Sequence, residues 1–472
     1  MKKIIRILLC ILMMAVLLGS AVFGGYLLET QNSKDEETSS TISEEDQDDW
    51  ASPDAEYLDY YGLGDFSTTL PVVYINTKGQ QILKENSIWG NIALLEASET
   101  AQSVSSVPNS IYRATIKYRG ASSYSKFAKK QYRIKFYKDK KNKAKNVSLA
   151  GMGENSEWVL NGPYLDKTLI RNKLMYDLAR ECNNGWAPDS RFVELFVDGE
   201  YQGVYVAIEP VTNGTSRLRL SEYGLLSGET AYIVDRNRDS TDEEALVTYG
   251  KTSGNTNNSL YLTYPSAKDV TDAQRKYIIE DISAFEKALY GADFRNSKSG
   301  YQSYIDVDNW VDYFILNEFS MNSDAGNLST YVYKDLPGKL QLAVWDFNNG
   351  FDNYQWFSMS TNEFNTTENS WFNRIWQDEN FQAQVKARYK ELRQTTLSDE
   401  HIESLIASYQ AQLGDAVSRN FAIWGYSFDE NLLAGKKADG SSRDIGSYDE
   451  AMTQLKDTIH DRLEFLDEEW GS

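Results

Sequence analysis

The spacing of apolar side chains changes period once along this chain, and that change restricts the fold more than any single residue does. Between Leu70 and about Arg236, the segments PVVYINT, YRATIKYRG, QYRIKFYK, RFVELFVDGEYQGVYVAIEP and AYIVDR alternate β-branched or aromatic residues with polar ones. A period of two is that of a half-buried strand. The Asp198-Gly199 pair between two such runs reads as a hairpin turn. One helix interrupts the strands: DKTLIRNKLMYDLARE sets Leu169, Ile170, Leu174, Leu178 and Ala179 at helical spacing, with Asp166 or Thr168 as cap. From Asp239 to Ser259 the chain is polar and weakly patterned, as in a surface loop. Helices are then expected over Thr271 to Leu289, Asp308 to Ser320, Ser370 to Arg393, Asp399 to Phe421 and Tyr448 to Trp470. Strands first and helices afterwards is the α+β class, with no internal repeat.

Composition removes several chemistries. The chain has 472 residues, 41% of them hydrophobic, enough for one large domain or two fused ones. With 69 acidic against 48 basic residues the net charge is −21, and no long basic stretch stands out, so nucleic acid is not an expected partner. Only two cysteines, Cys10 and Cys182, and two histidines, His401 and His460, occur. A disulfide framework, a cysteine zinc site, a Ser-His-Asp triad and a histidine-ligated metal are all improbable on that inventory. Catalysis has to run on carboxylates, lysines, arginines and amides.

Ile7 to Leu28 carries no charge and would span about 33 Å as a helix, the length of a membrane crossing. Lys2, Lys3 and Arg6 precede it, whereas Glu29 to Trp50 holds one lysine and nine acids. That asymmetry directs the rest of the chain outward. The expectation is a single-pass membrane anchor over 1–28, an acidic Ser/Thr-rich tether over 29–55 and an extracytoplasmic body; the alternative is secretion after cleavage near the small residues Gly19 to Gly25.

The segment NEFSMNSDAGNLSTYVYKDLPGKLQLAVWDFNNGFDN, Asn317 to Asn353, is the densest in chemistry. It reads as a helix end, a loop with Asp324, a strand to Lys334, a Pro337-Gly338 turn, a second strand, and Asp346 just beyond it. A hairpin returns to its starting end, so Asp324 and Asp346 should be neighbours. Two such carboxylates suit phosphoryl transfer, one orienting a hydroxyl and one holding magnesium on the phosphates. The amides Asn322, Asn327 and Asn348 nearby are short oxygen ligands for a hard cation; the plainer reading has the two acids closing turns. In YRGASSYSKFAKKQYRIKF, Gly120, Ser122 and Ser123 form a turn offering backbone amides to phosphate. Alternation sets Lys130 on the face of Tyr132, Ile134 and Phe136, making it the candidate phosphate contact, with Lys135 a solvated strand lysine.

These blocks, RGASS, KKQYRIKF, WVLNGPYLDKTLIRNKLMYDLAR, RFVELFVDGEYQGVYVAIEPV, TYPSAKDVTDAQ, NSDAGNLSTYVYKD and WDFNNGFDN, resemble the CotH kinase family of spore-coat kinases in order and spacing, over roughly Tyr112 to Asn353. The resemblance implies an atypical, two-lobed protein-kinase-like fold over 56–368. It also implies use of ATP and Mg2+ to phosphorylate Ser/Thr hydroxyls of spore-coat or cell-envelope proteins. The helices over 369–472 are expected to complete the larger lobe. By position, Asp324 corresponds to the catalytic Asp and Asp346 to the metal-binding Asp, with Asn348 beside it. Arg119, Ser123 and Lys130 lie in blocks that approach the phosphates, and Glu209 on the strand leading to the adenine connection. Asp166, Arg171 and Asn327 are supporting candidates. Two departures stand out: Asn348 replaces a second Asp, and Asp352 sits where the family commonly has Gly. The competing functions are a catalytically silent surface adhesion or envelope-assembly protein, which would not need Asp324, Lys130 and Asp346 together, and a carbohydrate enzyme using paired carboxylates with some of the 11 tryptophans.

Overall fold

The alternating strands close on themselves. The computed structural model describes residues 64–471, apart from 139–141, 225, 241–243 and 438–439. Seven strands form a barrel: β1 (Val72–Asn76), β2 (Ile88–Leu95), β3 (Ser110–Arg119), β4 (Gln131–Phe136), β5 (Glu157–Asn161), β6 (Ser190–Val197) and β7 (Glu200–Ile208). Their order is β1-β2-β3-β4-β5-β7-β6, antiparallel throughout except where β6 runs parallel to β1 and closes the ring. Ile75, Ile92, Ile116, Ile134, Trp158, Leu195 and Tyr205 fill its interior. Asp198 and Gly199 take positive φ (49° and 88°) and join β6 to β7, the tight turn expected of that pair.

A second, antiparallel sheet holds β8 (Tyr232–Asn237), β9 (Ser259–Tyr264), β10 (Thr330–Lys334) and β11 (Gln341–Ala343) in the order β9-β8-β10-β11. Besides a single turn at Tyr249–Thr252, the α-helices among the described residues are α1 (Ser122–Lys126), α2 (Arg171–Cys182), α3 (Asp272–Tyr290), α4 (Val307–Phe319), α5 (Ser370–Ile375), α6 (Glu379–Arg393), α7 (Asp399–Leu413), α8 (Ala416–Trp424) and α9 (Tyr448–Trp470). Two of the expected long helices are each cut in two. Asp378 caps a new start at α6 through the Asn380 amide, and Gly414, at φ 44°, ends α7.

The class is α+β, as expected. The strand-rich front is a closed barrel, because the β1/β6 pairing leaves no open edge. The main apolar core then runs without a break from the outer face of β6 and β7 (Phe192, Val204, Val206) through α2 to Phe314, Phe381, Ile406 and Trp470. The C-terminal helices share that core. The apolar run Ile7 to Leu28 and the acidic tether lie outside the described residues; among the described residues no helix is long and apolar enough to cross a membrane.

One buried pair ties the last helix to the segment leading to Asp324. Glu318, near the end of α4, accepts the amides of Asn365, Thr366 and Thr367 at 2.9, 2.7 and 3.1 Å and Arg462 Nη2 at 2.8 Å. Arg462 of α9 also donates Nε to the Glu318 carbonyl and Nη1 to the carbonyls of Thr361 and Glu363. Burial pushes the Glu318 carboxyl up and the Arg462 guanidinium down, and each partner opposes the other's shift. With every polar atom engaged the pair is tolerable; halved, it is not. Glu318→Ala should therefore cost about 3–5 kcal/mol by urea unfolding at pH 7, and a loss under about 1 kcal/mol would contradict this account.

Candidate active site

Asp324 and Asp346 meet because a hairpin brings them together. β10 and β11 pair antiparallel through Tyr331/Ala343, Val332/Leu342 and Tyr333/Gln341, so the loop before β10 and the loop after β11 share one end of the sheet. There a cleft of about 180 Å³ opens between sheet and barrel. Arg119, Gln131 and the 120–123 turn form its barrel side; Asp235, Arg238, Asp324, Tyr331, Trp345, Asp346, Asn348 and Asn349 form the other.

The Asp324 loop is held by hydrogen bonds instead of regular structure. The Asp324 carbonyl accepts the amides of Asn327 and Leu328 at 3.0 and 2.7 Å. Asn369 Nδ2 donates to the carbonyls of Ser323 and Ala325, and buried Arg236, reaching across from β8, donates to that of Gly326. The carboxylate itself is left to the cleft, with Asn349 Nδ2 3.4 Å from its Oδ2.

Asp346 is positioned by α2. Asn172 and Tyr176 are four residues apart and so share one face of that helix. The Tyr176 hydroxyl accepts the Asp346 amide at 3.2 Å, Asn172 Oδ1 accepts the Phe347 amide at 2.7 Å, and Asn172 Nδ2 donates to Asn348 Oδ1 at 2.8 Å. The Asp346 backbone is left-handed, φ 60°, a conformation Asp tolerates better than most residues. One turn earlier, Asp166 and Arg171 form a buried ion pair of 2.6 Å, and Arg171 Nε donates to the Gly350 carbonyl at 3.1 Å.

The electrostatics couple the two acids. Burial first, and then the charge of Asp346, push the Asp324 carboxyl up to about 6, against Arg238 and Asn349. Asp346 is also raised by burial, opposed by Arg119 and a hydrogen bond to Asn348. Arg119 donates to Gln131 Oε1 at 2.8 Å and lies 5.6 Å from the Trp345 ring centre. Gly120 holds φ 89°, a backbone that residues with a side chain rarely adopt, so the position favours glycine.

Asp324, Asp346, Asn348, Arg119 and Ser123 thus come to one cleft. Others expected there do not. Lys130 precedes β4 instead of lying within it, so strand alternation does not govern it; its Nζ donates to the carbonyls of Tyr124 and Phe127 at 2.7 Å each, closing the end of α1. The deeply buried lysine is its neighbour Lys129, bonded to the Val204 carbonyl and Asn420 Oδ1. Glu209 is spent on Arg217 at 2.5 Å and the Asp189 amide. Asn327 and Asn322 do not line the cleft: Asn327 Nδ2 donates to Asn369 and Asn322 Nδ2 to Asn317, with Asn322 Oδ1 accepting the Asp324 amide, and Asn348 offers an oxygen already bonded to Asn172. Asp166 and Arg171 do not line the cleft; they hold the loop that follows Asp346. Sequence reasoning missed Asn349, which is adjacent to Asn348, and Asn172, whose i,i+4 relation to Tyr176 was a usable signal. It also missed Arg238, which sits in an unpatterned loop and had no signal.

Among the described residues no group of three His, Cys, Asp or Glu side chains could hold a metal ion. Two carboxylates with flanking amides do fit a magnesium ion that completes its shell with phosphate oxygens and water.

No curated protein matches the chain. A family model described as CotH kinase protein matches residues 116–466, most of the chain, and so extends through the C-terminal helices well past Asn353, where the resemblance read from the sequence stopped. The chain belongs to the CotH kinase family.

Proposed function

We propose that the chain is an ATP- and Mg2+-dependent protein kinase that phosphorylates Ser/Thr hydroxyls of spore-coat or cell-envelope proteins, with its chemistry at Asp324. The observation that carries this reading is the pair of electrostatically coupled carboxylates, Asp324 and Asp346, facing one cleft from the two ends of a hairpin. Asp324, whose carboxyl burial and the charge of Asp346 push up to about 6, accepts the hydrogen bond of the acceptor hydroxyl and then its proton. The hydroxyl oxygen bonds to the γ-phosphorus as the bond to the leaving diphosphate breaks. Arg119, anchored by Gln131 and close to Asp346, would meet the phosphates, with the backbone at 120–123 on the same side of the cleft. Magnesium held by Asp346 and completed by the phosphates would neutralise charge there.

Transfer of labelled phosphate from ATP to casein by the full chain tests this. Activity abolished by Asp324→Asn and by Asp346→Asn supports the roles; an inert wild type, or an active Asp324→Asn variant, sinks them. Arg119→Ala should raise the KM for ATP about tenfold, the equivalent of one charge-assisted contact. Lys130→Met should leave it within about twofold, because a tenfold change is needed to signal a lost contact.

The raised carboxyl of Asp324 has two consequences of opposite sign. Transfer needs the ionised form, so kcat/KM should fall as pH drops through about 6. Stability behaves inversely, since a carboxyl raised in the folded state costs stability from the unfolded pKa upward, fully so above the folded one. Asp324→Asn should therefore unfold later than wild type at pH 7.5, by on the order of 1 kcal/mol, with that advantage gone by about pH 3.5. Melting curves at both pH values check it.

A further inference from the structure

The cleft has one wall whose shape is imposed from the C-terminal region. Phe351 and Asp352 both adopt positive φ, 53° and 55°, a backbone that costs non-glycine residues on the order of 1 kcal/mol or more each and needs outside support. Phe351 gets it by full burial against Phe319, with its amide on the Ser320 carbonyl at 2.7 Å. Asp352 gets it from Arg443, a fully buried residue between α8 and α9. Arg443 Nη2 donates to the Asp352 carboxylate at 2.9 Å and to its carbonyl at 2.7 Å; Nη1 donates to the carbonyls of Tyr354 and Ala434 at 3.1 and 2.5 Å. The Ala434 amide returns a bond to the Gln355 carbonyl at 2.8 Å. The Asp352 carboxylate also accepts the Met359 amide at 2.6 Å.

One guanidinium therefore organises the turn from 352 to 359, and that turn carries Tyr354, Gln355 and Trp356 into the lining of the Asp324 cleft. Tyr354 stands close enough to Asp324 to feel its charge. Trp356 and Phe357 are half exposed, with Lys126 Nζ 3.4 Å over the Trp356 ring and Phe357 packed edge-on against Tyr354. An aromatic wall open to solvent on one side and facing the base on the other suits an incoming polypeptide. In the reading given above the phosphates would be met on the other side of the cleft, by Arg119.

We propose that Arg443, through Asp352, is a positioning residue for the phosphate acceptor, holding the 354–356 wall against which a hydroxyl-bearing polypeptide segment lies beside Asp324. The inference rests on the kinase reading, and it gives a purpose to the Asp at 352, where glycine would meet the backbone requirement alone but offer Arg443 no carboxylate.

The test is steady-state transfer from ATP to casein by the full chain, for wild type, Arg443→Ala, Arg443→Lys and Asp352→Asn. Arg443→Ala should raise the KM for casein about tenfold, the equivalent of losing one charge-assisted contact, and leave the KM for ATP within twofold. Amide exchange across 352–359 should rise with it. Arg443→Lys, which keeps the charge but not the fork, should recover only part of the acceptor affinity. If Arg443→Ala does not fold, Asp352→Asn keeps the carbonyl bonds and should still raise the casein KM about threefold, a fraction of one such contact. Unchanged KM values with a smaller active fraction, or parallel rises in both, overturn the inference. Wild-type protein that transfers nothing overturns the kinase reading itself, so the two failures are distinct.

Discussion

The geometry of the cleft depends on the buried ion pair between Asp166 and Arg171 at the start of α2. The Asp166 carboxylate accepts the Thr168 amide and hydroxyl, the Arg171 amide at 2.9 Å and Arg171 Nη1 at 2.6 Å. It thereby satisfies the first orphan amide of a helix whose N-cap residue, Ile170, cannot. Arg171 then spends its Nε on the Gly350 carbonyl. The pair is stable inside the protein because its donors and acceptors are used, and a well-engaged ion pair repays desolvation that a partly engaged one does not. With α2 fixed, Asn172 and Tyr176 can hold the backbone of Asp346 and Phe347 in place.

The same device recurs. Arg171, Arg236, Arg443 and Arg462 are among the largest fully buried side chains; the first three end on carbonyl oxygens of irregular loops beside the cleft, Gly350, Gly326 and Asp352 with Tyr354, and Arg462 ends on those of Glu318 in α4 and of Thr361 and Glu363. Loops there cannot satisfy their carbonyls by a ladder. A planar guanidinium with five donors and weak hydration does so at little cost in ordering. Because Arg443 and Arg462 come from the C-terminal region, the last hundred residues determine the shape of a site whose acids lie before them in sequence.

Burial raises the Asp324 carboxyl most and the charge of Asp346 raises it further, while Arg238 opposes the shift at Asp324 and Arg119 the one at Asp346. A group poised near neutrality suits proton transfer, whereas a stronger acid would be a poorer base. The arrangement costs stability, as reactive groups in low dielectric do.

Much of this was legible in the chain. Period-two segments gave β1, β3, β4, β6, β7 and β8, the Asp198-Gly199 turn was where its backbone demands placed it, and hairpin logic brought Asp324 to Asp346, because these depend on neighbours in sequence. What the sequence determined by itself was local: alternation, turn chemistry, and the two acids flanking a hairpin. Tertiary structure decided the rest. Barrel closure depends on a parallel pairing of β1 with β6, more than a hundred residues apart. Lys130 lies outside β4, where alternation says nothing, and Glu209 meets Arg217 only in space. Arg443 carried no local pattern at all: a cation announces its charge in sequence, but which buried carbonyl it reaches is set by packing of segments that meet only when the core forms.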